Sequence, residues 1–172
     1  MKEVFKSALE GSRAAQFEAN SLAGSVPDEG LPAYSQQVLP RSLFRGTRGY
    51  IEKVANQING CYEKGWFDAA AVMVRRLLET LIIECFENHD ISHNIKSSSG
   101  DFYFLRDLIG IFLQENTWNV GRNTKKTLPK LKDIGDKSAH SRRYVAKRWD
   151  LDKIRVELRD VAEELLYISD LK

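Results

Sequence analysis

The sequence predicts an all-α fold, a bundle of about five helices preceded by an extended N-terminal arm. Three observations lead to this prediction. Apolar residues recur at the 3.6-residue period of a helix in successive segments after residue 48, and no segment alternates as a half-buried strand does. Three of the four prolines fall between residues 20 and 49, and this density of helix breakers sets the arm apart. We therefore assign residues 1–47 to an N-terminal helix and Pro/Gly-rich arm, and residues 48–172 to one helical domain.

Length and composition are typical of a globular domain in a reducing compartment. The 172 residues, 42% hydrophobic and 29% charged, suffice for one packed core. No run of about 18 apolar residues could span a bilayer, and charges interrupt the N-terminus where a signal peptide is apolar. Cys61 and Cys85 stand at apolar helical positions without a metal or disulfide motif. We expect a cytoplasmic protein with reduced, buried thiols, no membrane contact, no metal and no cofactor.

The N-terminal part is predicted to hold an amphipathic helix over residues 2–19, followed by the arm. The arm carries more apolar residues than a free linker needs, so we expect it to lie on its own domain or on a second copy. The first core helix begins near Arg48, because apolar residues recur at helical spacing from Ile51 to Cys61. Gly65 ends this segment where a left-handed residue is needed.

The segment Phe67–Asn88 is predicted to be the central helix. It is apolar around more than half of its circumference, so it needs neighbours on several sides. Asp68 is placed to cap or favour its N-terminus. Three charged residues, Arg75, Arg76 and Glu79, interrupt the apolar pattern. Either they are paired inside the fold, or they line a groove that meets a ligand.

The polar sequence HDISHNIKSSSGD after the central helix predicts a loop. His89 and His93 have the spacing of a helical metal clamp, but they fall in this loop without a third ligand, so we do not expect a metal site. Asp101 is placed to cap a third helix, FYFLRDLIGIFLQE, which ends near Asn116.

Two further helices complete the predicted bundle. The first of them starts at Thr124 or Thr127, with Pro129 tolerated in its first turn. Its narrow contact face consists of Leu128, Leu131, Gly135 and Ala139. Two of these four are small, so this helix can approach its neighbour closely. Asp150 or Asp152 then caps a long terminal helix with an almost unbroken apolar stripe.

Positive charge is concentrated between Arg122 and Arg148. This stretch holds ten Lys and Arg against two acidic residues, a net charge of +8, whereas the other 145 residues carry 16 basic and 22 acidic groups, a net charge of −6. A basic block on an acidic remainder is typical of proteins that bind nucleic acid. The alternative is a solvated lysine-rich helix. The candidate phosphate-binding residues are Arg75, Arg76, Lys125, Lys126, Lys130, Arg142, Arg143, Lys147 and Arg148.

One edge of the lysine-rich helix carries groups suited to acid–base chemistry. Lys132, Asp136 and His140 follow at intervals of four, with Arg142 and Arg143 just beyond. An imidazole can take the proton of a ribose 2′-hydroxyl while nearby cations stabilise charge on phosphorus, without a metal. DNA lacks this hydroxyl and would not be cleaved this way. The alternative is that His140 only ends the helix, paired to Asp136 one turn back.

The segments GCYEKGWFDAAAVMVRRLLETLI and LPKLKDIGDKSAH resemble the HEPN-like (higher eukaryotes and prokaryotes nucleotide-binding) domains of bacteria, over roughly residues 48–170. In these domains a helix rich in small residues ends near Arg-x-x-Leu-Glu and is followed by Arg-x-x-Gly-Asn-x-x-Ala-His. Arg76 and Glu79 stand at the charged positions of the first motif.

The second HEPN-like motif is matched in part. Lys132 takes the place of the arginine and Asp136 that of the asparagine, while three residues match: Gly135, Ala139 and His140. Active HEPN ribonucleases have arginine, then four to six residues, then histidine. Here those positions hold residues 133–135, none of them basic, and lysine lacks the bidentate guanidinium. This departure weighs against catalysis and leaves RNA or nucleotide binding open.

The resemblance implies a helical bundle that commonly forms a homodimer with the histidine motif facing the dimer cleft. Many relatives are metal-independent ribonucleases of toxin–antitoxin, restriction or abortive-infection systems, and others are inactive binding modules. We therefore predict an RNA- or nucleotide-binding domain, with endoribonuclease activity in prokaryotic defence, toxin action or RNA processing as its catalytic form. The alternative is a catalytically inactive helical domain that dimerises or binds a partner protein of such a system.

Overall fold

The computed structural model describes residues 37–172, and this part of the chain is helical without a strand. A single antiparallel bridge joins Lys96 and Phe102. The helices are α1 (Arg41–Phe44), α2 (Gly49–Glu63), α3 (Phe67–Asn88), α4 (Leu105–Gln114), α5 (Arg122–His140) and α6 (Arg148–Ile168), with a short 3₁₀ helix, Ser92–Ile95, after α3. The predicted all-α bundle of about five helices is thus confirmed. The predicted helix over residues 2–19 and the arm up to residue 36 lie outside the described residues.

Helix α3 is the centre of the bundle, as its apolar periodicity predicts. It packs against α2, α4, α5 and α6. Its buried apolar residues are Ala70, Ala71, Val74, Leu77, Leu78, Leu81, Ile82, Cys85 and Phe86. Burial raises the pKa of the Cys85 thiol, whose Sγ donates to the Leu165 carbonyl, so this cysteine is an apolar core residue. Cys61 is only partly buried.

The corner between α2 and α3 follows from Gly65. This glycine has φ +77°, which confirms the predicted left-handed position. The N–H of Trp66 bonds to the Cys61 carbonyl and that of Gly65 to the Tyr62 carbonyl. These two bonds form a Schellman motif, which satisfies the last carbonyls of α2 and turns the chain directly into α3.

The last part of the predicted arm packs on the bundle. Val38, Leu39 and Phe44 are buried. The Asn59 side chain of α2 accepts bonds from the N–H groups of Val38 and Leu39 at 2.9 and 3.0 Å and donates to the Leu39 carbonyl. Residues 37–44 of the arm therefore lie on their own domain. Within 37–172, no helix is both long and apolar enough to cross a bilayer.

A buried carboxyl ties the start of α2 to α3. Glu84 is 3% exposed, accepts a hydrogen bond from the Tyr50 hydroxyl and lies 2.8 Å from Nε of Arg48. Burial raises the pKa of Glu84 and the Arg48 charge opposes this rise only in part.

Helix α4 starts later than predicted. The sequence placed Asp101 as its cap and Phe102 in its first turn, but α4 begins at Leu105. Phe102 forms the bridge to Lys96, and the N–H of Tyr103 donates to the Ile95 carbonyl at 3.0 Å. Because these bonds hold the chain extended, residues 102–104 cannot join the helix.

Helix α5 starts earlier than predicted. Neither Thr124 nor Thr127 is the cap, because α5 begins at Arg122 and Pro129 lies in its interior. The carboxylate of Glu164 on α6 accepts hydrogen bonds from the Gly121 N–H and the Thr124 hydroxyl, each at 2.5 Å. A residue of another helix thus takes the capping role.

Helix α6 also starts earlier than predicted, at Arg148, so Asp150 and Asp152 lie inside it. Asp150 still satisfies the helix start, because its carboxylate accepts the N–H of Lys147 at 2.9 Å. Asp152 instead accepts a hydrogen bond from the Tyr62 hydroxyl of α2.

Candidate functional site

An ion network joins the middle of α3 to α5. Nε of Arg75 lies 2.8 Å from Oδ1 of Asp136, and Nζ of Lys132 lies 2.5 Å from Oδ2 of the same carboxylate. Arg75 also lies 3.6 Å from Glu79, one turn along α3. Arg75 and Glu79, two of the three charged residues that interrupt the apolar pattern of α3, are therefore paired inside the fold. The third, Arg76, is exposed and has no ion pair in the described part of the chain.

The network depends on a close approach of the two helices at Gly135. A Cβ on this residue would lie 2.6 Å from Cβ of Arg75 and 2.9 Å from the carbonyl oxygen of Ala71. Gly135 is buried, which agrees with its predicted place on the narrow contact face. Ala139 was predicted on the same face but is exposed, so the close contact ends before the last turn of α5.

Asp136 and Lys132 are both charged at neutral pH. Burial disfavours the charged form of Asp136, but the hydrogen bonds from Lys132 and Arg75 outweigh it and lower the pKa of this carboxyl. The same bond to Asp136 raises the pKa of Lys132. A carboxylate with a lowered pKa and two cationic partners is a poor proton acceptor. The observed geometry makes Asp136 an anchor between α3 and α5.

His140 is the last residue of α5 and is exposed. The predicted alternative, a pairing of His140 with Asp136, is not present; the two oxygens of Asp136 bind Arg75 and Lys132. Among the described residues, His140 makes no side-chain hydrogen bond. Its imidazole is therefore open to a ligand from solution.

The outer face of α5 and the loop after it carry exposed cations. Lys126, Lys130 and Lys137 are separated by four and seven residues, so they form one stripe that rises about 16 Å along the helix. We call the following exposed residues the cationic surface: Lys125, Lys126, Lys130, Lys137, Arg142, Arg143 and Lys147. Within residues 37–172, none of these residues has an acidic partner within 4.0 Å.

The loop between α5 and α6 is fixed to the start of α3. Asp68 lies in the first turn of α3, as predicted, but its carboxylate accepts the N–H of Ala146 at 2.9 Å and does not cap its own helix. Arg148, a predicted phosphate ligand, donates to the Tyr62 hydroxyl at 3.0 Å and lies over its ring. The backbone that carries the loop cations is therefore fixed to α2 and α3, and Arg148 is one of the residues that fix it.

Two exposed tryptophans are not among the candidate functional residues that the sequence predicted. Trp149, the second residue of α6, is 51% exposed, and Trp66 at the α2–α3 corner is 63% exposed. Nζ of Lys153 lies 4.0 Å from the ring centroid of Trp149. The signal was present in the sequence RRYVAKRW, where an aromatic residue follows several cations.

Within the described residues no cluster of metal-binding side chains occurs. Nδ1 of His89 lies 2.8 Å from the Cys85 carbonyl, and its ring packs on Trp118. His93 lies in the 3₁₀ helix. His89 is therefore occupied by contacts within the bundle.

Comparisons with protein-family profiles, with curated proteins and with solved structures found no match to this chain. The HEPN-like resemblance therefore depends on its motif residues. The first motif lies on α3 and the second on α5, and the two are joined through Arg75, Glu79 and Asp136.

Proposed function

We propose that this chain is a HEPN-like RNA-binding domain whose ligand lies on the cationic surface. The observation that supports this proposal is the set of exposed Lys and Arg on α5 and the following loop, which lack acidic partners in the described part of the chain. Two acidic groups nearby are engaged elsewhere, Asp136 in the α3–α5 network and Asp68 with the Ala146 N–H. Asp133, the other acid of α5, lies 3.5 Å from Lys132. Cations in this state attract phosphates, because no acidic partner among residues 37–172 neutralises them.

The number of free cations predicts a steep salt dependence. Six phosphate contacts on a single strand give a slope of about −4 in a plot of log affinity against log salt concentration. Affinity then falls about 300-fold between 50 and 200 mM salt. We would measure this with a fluorescein-labelled RNA by anisotropy.

Paired substitutions test where the RNA lies. Lys126→Gln with Lys130→Gln, or Arg142→Gln with Arg143→Gln, should reduce the magnitude of the salt slope by about 1.4, because each pair removes two phosphate contacts. Lys53→Gln is the control, since Lys53 is an exposed cation of α2 outside the cationic surface. Wild-type protein that does not bind RNA, or a control with equal loss, would refute the proposal.

The proposal includes the case in which the domain also cleaves the RNA that it binds. The exposed His140 would serve as general base or acid, and Arg142 and Arg143 would stabilise charge on the phosphate. Lys132 and Asp136 would act by holding the C-terminal part of α5. We expect cleavage that persists in EDTA, stops on 2′-deoxy substrate and falls about 100- to 10,000-fold in His140→Ala. Cleavage that needs metal, or survives this substitution, excludes His140 from the mechanism.

The second candidate function is a catalytically inactive domain that dimerises or binds a partner protein. Three consecutive aromatic residues before α4 favour it: Phe102, Tyr103 and Phe104 are 38%, 37% and 79% exposed. Exposed apolar patches of this kind often mark protein interfaces. Sedimentation velocity should detect a homodimer that Phe104→Glu dissociates, without loss of RNA binding. A monomer at all concentrations would refute the homodimer.

A further inference from the structure

The three tryptophans of the chain have different environments. Trp118 is 9% exposed and packs in the core against the rings of Phe86 and Phe112. Trp149 and Trp66 are exposed and lie outside the hydrophobic core. An indole that remains in water contributes little to core packing, so the bundle does not account for either residue.

Trp149 lies in a segment with an excess of positive charge. Residues 142–153 contain five Lys or Arg and two Asp, a net charge of +3. Both acids have local partners: Asp150 accepts the Lys147 N–H, and Asp152 accepts the Tyr62 hydroxyl. The Lys153 ammonium lies over the indole, 4.0 Å from its centroid, and Trp149 is still 51% exposed.

The position of Trp149 is fixed by its neighbours in sequence. Arg148 binds the Tyr62 hydroxyl of α2, and the N–H of Ala146 binds Asp68 of α3. Trp149 is the second residue of α6, a regular helix of 21 residues. A ligand that stacks on the indole therefore does not have to order the backbone, which lowers the entropic cost of binding.

We propose that Trp149 is a base-stacking subsite for single-stranded RNA, beside cations that hold its phosphates. This inference rests on the proposed function, to which it adds the class of RNA. An aromatic side chain can stack only on a base that is not already stacked inside a duplex, and such platforms with flanking Lys and Arg are how proteins bind single strands. Any base can stack on an indole, so the subsite favours single-stranded over double-stranded RNA without a preference for sequence.

The test compares one RNA as a single strand and as a duplex with its complement, by anisotropy over a salt series. Trp149→Ala should weaken single-strand binding about 5- to 150-fold. The salt slope should not change, because no charge is removed, and duplex binding should not change either. Trp149→Phe should retain most of the affinity. Tyr167→Ala is the control, since Tyr167 is 78% exposed on the same helix, about 27 Å away by helical rise.

Failure of this inference is distinguishable from failure of the proposed function. If wild-type protein binds RNA with a steep salt slope but Trp149→Ala binds the single strand equally well, the stacking subsite is refuted and the cationic surface stands. Equal losses on single strand and duplex, or a similar loss in Tyr167→Ala, would also refute it. If wild-type protein binds neither RNA, both proposals are refuted.

Discussion

The substitution Gly135→Ala tests whether the close contact between α3 and α5 holds the two halves of the ion network together. In an isolated helix this change would favour folding by about 1 kcal/mol, because glycine is a poor helix former. In this bundle the new methyl group would lie 2.6 Å from Cβ of Arg75 and 2.9 Å from the Ala71 carbonyl oxygen. Neither atom is the flexible end of a side chain, so the helices must separate.

The expected net effect is a destabilisation of about 2 kcal/mol. Overpacking of a core costs about 1–3 kcal/mol, and the two contacts below 3.0 Å place Gly135 at the upper end of this range. Subtracting about 1 kcal/mol of helix propensity leaves about 2 kcal/mol. The melting temperature should fall by about 4–8 °C. Urea denaturation followed by circular dichroism measures the free energy of unfolding directly.

Gly110→Ala is the matched control. Gly110 is also inside a helix, α4, but it is exposed and a Cβ there meets no atom within 4 Å. The same chemical change should therefore stabilise the protein by up to about 1 kcal/mol. Opposite signs for the two variants are the expected result. Gly135→Ala with the stability of the wild type or above would refute the close approach of α5 to α3.

Three further predictions concern charged side chains. Asp136→Asn should lower stability by about 1 kcal/mol at neutral pH. Because the pKa of Asp136 is lowered from 3.8, the stabilisation that this carboxylate provides should be lost as pH falls through the range below 3.8. Glu84 has a pKa raised from 4.5, so its own contribution to stability should decrease as pH rises from that value through the raised pKa, and the stability difference between wild type and Glu84→Gln should shrink over that range. Glu164→Ala should cost about 1–2 kcal/mol by uncapping α5, whereas Glu163→Ala, at an exposed surface pair, should change stability by less than about 0.5 kcal/mol.

Each of these predictions has a result that contradicts it. A stability profile of Asp136→Asn that parallels the wild type in acid would show that the carboxylate adds nothing to the α3–α5 contact. A stability difference between wild type and Glu84→Gln that stays constant as pH rises above 4.5 would contradict the raised pKa of Glu84. Equal losses in the Glu163 and Glu164 variants would show that the α5 cap is unimportant.

The fold was predictable where its determinants are local. The period of the apolar residues in α3 identifies both the helix and its buried face, and Gly65 marks the corner because only a left-handed residue allows the turn. The starts of α4 and α5 were not predictable, because their determinants lie outside these helices. Tyr103 is held by Ile95 across a loop, and Glu164 caps α5 from 40 residues away.

The candidate site was predictable in part for the same reason. Helical spacing placed Lys132 and Asp136 beside one another. Nothing in the local pattern indicates that Arg75, 61 residues earlier, occupies the other oxygen of Asp136. The pairing of His140 with Asp136, which their spacing of four residues allows, is absent. Whether the exposed Lys and Arg bind RNA stays a prediction.

The carboxylate of Glu164 has a consequence for synthesis on the ribosome. Because synthesis runs from the N-terminus, the beginning of α5 leaves the ribosome before Glu164 does. Until then, the Gly121 N–H and the Thr124 hydroxyl lack the acceptor that they have in the finished protein. Helix α5, with the cations that we propose bind RNA, therefore acquires its defined start only once the C-terminal helix has emerged and docked.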